Sequence, residues 1–427
     1  MKTRITSILG RSDFVRHNAV FFFGALAVSV LNYAYYPVLG RLLSLEEYGE
    51  VQVLISLFLQ LTIFLTVLSQ VAINIVANYE DRTRQARVLF ELEKLSLFIS
   101  LALLVIGALA SPFFQNVLRF ESPWPFIILL VALVATVPLT FRSAYLRGNK
   151  KFATVSAGNI LGAAGKIVVS ALLVVIGLST PGAIFGIVAA QLLAFAYTAY
   201  KAKQAGFIKP ESHASYFSLP NSKEIVPELR YSAIVLVASL SIMVLTSVDV
   251  LLVKYFFDAE TAGGYAGIAT VAKVLFFLTA SVAQVMLSSV KLAAPAKQNR
   301  ALLVKSAVLV AGLGGIGLIA FLAFPNFFVS LLMGHRFEAY AYLLPPLATA
   351  LFVLSILNLV VSYYMALRRY QISLLAAVGV VGTIIVLLQM HSSLSSIVQG
   401  LLWGSVGTLV LIALWRLSYR VLRRDHV

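Results

Sequence analysis

The sequence predicts an all-α polytopic membrane protein, and three observations carry that prediction. About a dozen apolar stretches of near 20 residues follow one another, each long enough to cross a hydrocarbon core about 30 Å thick. The composition is 60% hydrophobic and only 12% charged over 427 residues, with a mean hydropathy of +0.93. Lys and Arg gather in alternate gaps between the stretches. A soluble chain of this length could not hide so much apolar surface in its cores.

Taken in order, the spans are expected near residues 17–40, 51–76, 95–114, 125–146, 153–177, 183–200, 231–253, 264–290, 302–323, 343–366, 372–390 and 397–417. Cytoplasmic loops carry the excess of Lys and Arg, so the even-numbered gaps and both termini are expected to face inward. That set holds 27 of the 33 basic residues, among them Arg82, Arg84, Arg87, Arg142, Lys150, Lys201, Lys223 and Arg423. The opposite set holds only Arg41, Arg119, Lys254 and Arg336, each close to an acid. The net charge of +16 therefore orients helices and does not imply nucleic acid. Cysteine is absent, which excludes disulfides and thiolate metal sites. The first apolar run is a full span with no small-residue cleavage site, so no cleavable signal peptide is expected; Met1 to Arg16 reads as an interfacial segment.

The longest polar stretch, Lys201 to Arg230, falls almost at mid-chain. It divides the chain into an N-terminal six-helix bundle (1–200), a cytoplasmic linker (201–230) and a C-terminal six-helix bundle (231–427). Ser44-Leu45-Glu46-Glu47-Tyr48-Gly49 after the first span matches Asp258-Ala259-Glu260-Thr261-Ala262-Gly263 after the seventh, and Tyr145 with Lys150-Lys151-Phe152 is echoed by Tyr363 with Arg368-Arg369-Tyr370. Six spans is an even number, so the two halves enter from the same side and form a parallel repeat.

Ionisable groups inside spans are costly and mark function by default. Three stand out: Lys166, Asp249 and Lys273. Lys166 lies roughly 13 residues into the fifth span, about 20 Å along the helix, near the midplane. It shares a face with Ser156, Asn159, Ala163 and Ser170, a polar stripe suited to line a cavity. Asp249 and Lys273 sit on consecutive antiparallel spans where they can pair; that pair reads either as a register-fixing ion pair or as a switch. The first span adds Asn18, Phe22, Ser29, Asn32 and Tyr36, and the second Gln52, Ser56, Gln60, Gln70 and Asn74. These polar stripes together suggest a cavity between the halves. Pro37, Pro138 and the Pro345-Pro346 pair are expected to kink their helices, and Gly312, Gly314, Gly315 and Gly317 to allow close helix packing. His17, His213, His335, His391 and His426 are scattered, without metal-ligand spacing, and no phosphate-binding glycine loop or nucleophile elbow occurs. No cofactor, metal or enzyme chemistry is expected.

Several segments resemble one family. Val248-Asp249-Val250-Leu251-Leu252-Val253-Lys254-Tyr255-Phe256, the following Asp258 to Tyr265 and Lys273 are similar to the central signature of the bacterial and archaeal oligosaccharide flippases. Asn18 to Gly24, Gly40 to Gly49 and Leu146-Arg147-Gly148-Asn149-Lys150-Lys151-Phe152 resemble that family's other landmarks. One departure is Asn74, where the family commonly carries a basic residue. The resemblance implies the fold of the multidrug, oligosaccharidyl-lipid and polysaccharide exporter superfamily: two six-helix bundles around a central cavity. It also implies the activity, moving an undecaprenyl-pyrophosphate-linked oligosaccharide from the inner to the outer leaflet of the cell membrane by alternating access. Implied partners are that lipid-linked glycan, membrane lipids and polysaccharide polymerase or assembly proteins. Lys166, Lys273 and Arg41 are the candidates for the diphosphate, and Asn32, Gln60, Gln70, Asn74 and Asn159 for the sugars, with Asp249 beside them. A drug or cation antiporter on the same fold is the alternative; it is expected to use carboxylates in the first bundle, and the predicted spans one to six contain none. A glycan polymerase or ligase needs a large outer loop, for which the outer gaps leave little room.

Overall fold

The computed structural model describes residues 24, 26–79, 81–207, 222–290 and 294–424. Met1 to Arg16, Asn18, Phe22 and the middle of the mid-chain linker lie outside them. Among the described residues helices are joined by short turns with no strand, and nine helices are long and apolar enough to cross a membrane. That count takes two packed helices joined at residues 174–178 as one, and it rises to ten if one bent pair is a single span. The chain is an all-α polytopic membrane protein.

Two compact units are present. The first takes residues up to 43, 64–116 and 120–232; the second takes 44–63, 117–119 and 233–427.

The first unit contains α1 (26–42), the end of α2 (Leu45–Asn78), α3 (Arg82–Leu109), most of α4 (Ser111–Leu118), α5 (Trp124–Gly148), α6 (Phe152–Leu173) and α7 (Ser179–Gln204). Asp81 caps α3 through its carboxylate, which accepts from the backbone N–H groups of Thr83 at 2.8 Å and Arg84 at 3.2 Å. The α6–α7 hairpin turns through a π-helical segment, Val174–Leu178, where Gly177 takes a φ of 95° that only glycine adopts without strain. Beyond the turn the two helices close tightly, because Gly162 leaves no Cβ between α6 and the Ala190 carbonyl.

At the other end of this unit α3 runs deeper than the predicted third span. It carries Glu91 and Glu93 into the interior, where Lys94 pairs with Glu91 at 2.8 Å and Arg142 of α5 pairs with Glu93 at 2.7 Å. These are carboxylates of the first half that hydropathy left outside a span. The Arg142 guanidinium also stacks 4.1 Å from the Phe207 ring, which ties the chain leaving α7 to α5.

The second unit contains the start of α2, most of α8 (Ser222–Leu245), α9 (Val248–Phe256), α10 (Ala259–Ser289), α11 (Ala296–Ala323), α12 (Pro325–Met333), α13 (Leu344–Ala366), α14 (Tyr370–Gln389) and α15 (Leu394–Arg424). The two matching hexapeptides both begin helices here. Ser44 and Glu47 form a reciprocal capping box at α2, backbone N–H to side-chain oxygen at 2.9 and 3.2 Å. Asp258 caps α10 by accepting from Thr261 N–H at 2.9 Å. The first turns of these helices cross at Gly49 and Gly263. A Cβ on Gly49 would sit 2.8 Å from the Gly263 Cα, so the backbones themselves are in contact. Beside the crossing Tyr48 is buried, its hydroxyl 3.3 Å from Thr270 and its ring edge-on to Phe337.

Two expectations change. Pro345 and Pro346 do not kink a helix; they open α13, where a missing N–H costs nothing and the fixed φ suits the first turn. Of the four glycines on α11, Gly314 packs on Phe352 and Gly317 on Leu275, while a Cβ on Gly312 or Gly315 would meet nothing within 4 Å among the described residues.

Candidate functional site

The first unit places the fifth-span lysine against the first span. Lys166 Nζ donates to Asn32 Oδ1 at 2.8 Å and lies 4.3 Å from the centre of the Tyr35 ring. Tyr35 is fully buried and fixed by its hydroxyl, which donates to the Ala183 carbonyl at 3.0 Å; Ser170 Oγ donates to the same carbonyl at 2.9 Å. Three helices, α1, α6 and α7, therefore hold one ammonium in place.

Lys166 is half-buried and points away from the side of α6 that exposes Leu161, Val168 and Leu172. The partners it has among the described residues are neutral: an amide oxygen and an aromatic face. One hydrogen bond uses one of three ammonium donors, so positive charge and donor capacity remain for an anion. Tyr33 and Tyr36 extend the aromatic wall, with ring centres 6.2 Å apart.

The second unit holds the other pair. The seventh predicted span is not one helix: α8 stops at Leu245, and α9 restarts at Val248 at 47° to it. A break at membrane depth frees backbone groups, and hydroxyls satisfy them; Thr246 and Ser247 both donate to the Met243 carbonyl, at 2.8 and 2.9 Å. Gln60 of α2 donates to Ser247 Oγ at 2.9 Å.

The break also gives Asp249 a place in the first turn of a helix, where the N-terminal dipole favours an anion. Its Oδ2 accepts from the Tyr265 hydroxyl at 2.8 Å, and both side chains are buried. Lys273, two turns along α10 from Tyr265, lies near enough to act on Asp249 electrostatically, but the two form no direct ion pair. Further along α9, Lys254 forms a buried ion pair with Glu50 of α2 at 4.0 Å.

Of the residues singled out from sequence, Lys166 meets Asn32, and Asp249 lies in the field of Lys273. Asn159 is half-buried two turns before Lys166 on the same helix. Gln60 is engaged at the α8–α9 break. Gln70 and Asn74 are exposed on the later part of α2, and Arg41 is exposed at the end of α1. Sequence reasoning missed Tyr35, Tyr265 and Ser247. The spacing of Tyr265 and Lys273, eight residues on one helical face, was a usable signal; the break at Ser247, with neither Pro nor Gly, left none.

Residues 14–287 match the family described as polysaccharide biosynthesis protein. No curated protein sequence is similar enough to match. Among solved structures the fold is similar to a multidrug resistance MATE transporter of the MOP superfamily in an inward-facing conformation, at 15% identity, TM-score 0.69, over 94% of this chain and 96% of that one. It is also similar to the lipid II flippase MurJ in an inward closed conformation, at 13% identity, TM-score 0.71, over 93% and 86%. A eukaryotic MATE transporter, AtDTX14, matches at 15% identity, TM-score 0.61, over 95% and 96%. At such identities the likeness is one of fold.

Proposed function

The chain belongs to the polysaccharide biosynthesis protein family, and from that premise we propose that it is a flippase for an undecaprenyl-pyrophosphate-linked oligosaccharide. The cargo moves from the inner to the outer leaflet of the cell membrane by alternating access between an N-terminal bundle (1–200) and a C-terminal bundle (231–427), with both termini and the 201–230 linker cytoplasmic. The observation that carries this reading is Lys166: a cation in a membrane span whose partners among the described residues are neutral. Such a charge is stable when its counter-charge arrives with a ligand, and a diphosphate supplies one. The lipid tail of the cargo stays in the bilayer, while Asn32, which binds the ammonium, and Asn159, two turns before Lys166 on α6, meet the first sugars. That one protein of similar fold is a lipid II flippase supports a cargo of this class. Lys273 and Arg41 are secondary candidates for phosphate contact, and polysaccharide polymerase or assembly proteins are the partners this role implies.

A drug or cation antiporter would need acids available to its cargo in the first bundle. Glu91 and Glu93 are buried there and bound to Lys94 and Arg142. The test is transport by the purified protein in liposomes, comparing a labelled undecaprenyl-diphosphate glycan with a fluorescent cationic drug. Movement of the glycan alone is expected. Movement of the drug alone, driven by an ion gradient, would overturn the reading.

A further inference from the structure

At the end of α11 the chain turns into α12, a nine-residue helix with two unlike faces. One face is locked to the fold: Val329 and Met333 are buried, and the Met333 sulfur is 3.6 Å from the Tyr48 hydroxyl. On the opposite side Phe324, Phe327 and Leu331, at helical spacing of three and four, are 63%, 60% and 53% exposed. An apolar stripe of this kind, immediately after a helix long and apolar enough to cross a membrane, belongs at the boundary of headgroups and acyl chains.

Beside that stripe lies a cleft of about 480 Å³, lined by Asn326, Phe327, Ser330, Leu331 and Glu338. Its volume falls within the range of small-molecule sites. Its chemistry is divided: Phe327 and Leu331 give a hydrocarbon wall, Asn326 and Ser330 give an amide and a hydroxyl, and Glu338 is the one charged residue of the lining. Glu338 is positioned by the turn that follows α12, where its carboxylate meets His335 Nδ1 at 2.7 Å and Ser330 Oγ lies 3.2 Å from the same nitrogen. A Ser–His–Glu group of this geometry is not a hydrolase triad, since both partners converge on one ring nitrogen and none occupies the other. It serves instead to hold an acid at the mouth of an amphipathic cleft.

We propose that α12 and the turn at 335–338 form a binding site for a phospholipid with a primary ammonium headgroup, a phosphatidylethanolamine. Glu338 accepts from the ammonium, Asn326 and Ser330 donate to the phosphate, and Phe327 and Leu331 pack the first acyl methylenes. The site is independent of the cargo proposed above and draws on none of its residues.

The experiment is lipid retention by the purified full-length protein, read by native mass spectrometry after exchange into mixed micelles holding equal amounts of phosphatidylethanolamine, phosphatidylglycerol and phosphatidylcholine with identical acyl chains. An exposed ion pair predicts a preference for phosphatidylethanolamine of about two- to five-fold over each of the others. Glu338→Gln should abolish that preference, and Glu338→Asp should keep part of it. Phe327→Ser should lower retention of all three lipids without changing their order. Equal retention of the three lipids, stronger retention of phosphatidylglycerol, or an unchanged preference in Glu338→Gln would overturn the proposal.

Discussion

The buried charge at the start of α9 allows a quantitative test. Asp249→Asn removes the carboxylate that faces Lys273 while keeping shape and a hydrogen-bond acceptor for Tyr265. Breaking a direct buried ion pair costs about 3–5 kcal/mol; Asp249 and Lys273 act on each other without direct contact and Lys273 is half-buried, which puts this case at the bottom of that range, about 3 kcal/mol. Tyr265→Phe removes only the hydroxyl that donates to Asp249 at 2.8 Å; a hydrogen bond to a charged group contributes about 1.5–3 kcal/mol. A stability change of 1 kcal/mol shifts the melting midpoint of a unit of roughly 200 residues by about 2–4 °C, so Asp249→Asn should lower it by about 6–12 °C and Tyr265→Phe by about half as much. The assay is thermal unfolding in detergent followed by intrinsic Trp and Tyr fluorescence. In the cycle, Asp249→Asn with Lys273→Gln should melt above Asp249→Asn alone, because the second change removes the stranded cation. Additive losses from the two substitutions would show that Asp249 and Lys273 are not coupled, and the account of this pair would fail.

Two other outcomes are expected. Gly263→Ala should lower the folding yield or melting midpoint, because its Cβ would overlap the Leu45 carbonyl and force the α2 and α10 first turns apart; overpacking of this kind costs about 1–3 kcal/mol. Gly312→Ala on α11, whose added Cβ meets nothing within 4 Å among the described residues, serves as the control, and equal behaviour of the two in a melting assay would refute the close crossing. At the N-terminus of α10 the Thr261 backbone N–H holds the Asp258 carboxyl below the usual carboxylate range. A depressed carboxyl contributes stability above its unfolded pKa and loses it as pH falls through the folded value. Asp258→Ala should therefore cost about 0.5–2 kcal/mol at neutral pH and progressively less in acid, which melting curves across pH would show; a pH-independent loss would contradict the cap.

The fold was legible where hydropathy speaks, and the site was legible only in part. Span-length apolar runs such as Ile397 to Leu417 reappear inside long helices, here α15, because a bilayer leaves the backbone few other ways to satisfy itself. Asp81, Ser44 and Asp258 announce their helices by local capping chemistry that sequence carries openly. What was hidden depends on tertiary contact. The break between α8 and α9 has no Pro or Gly to mark it, so Asp249 reads from sequence as an acid near the end of one continuous span instead of one seated at a helix start. Glu91 and Glu93 fell in a basic, polar segment that reads as a loop, yet α3 extends through it because Lys94 and Arg142 neutralise both acids. The polar stripe on α6 was visible from spacing; that Asn32 and Tyr35 would cover its lysine was not, since nothing local in α1 points to α6.

The central claim is that Lys166 offers its charge to the cargo diphosphate, and substitution at that position tests it most directly. Wild-type protein, Lys166→Ala and Lys166→Arg are reconstituted at matched amounts in liposomes, and the appearance of a labelled undecaprenyl-diphosphate glycan in the opposite leaflet is timed. Losing a charge-assisted contact of about 1.5–3 kcal/mol predicts a rate at least about tenfold lower for Lys166→Ala, with partial activity in Lys166→Arg, which keeps the charge and changes its geometry. Flipping by Lys166→Ala at the wild-type rate would contradict the account.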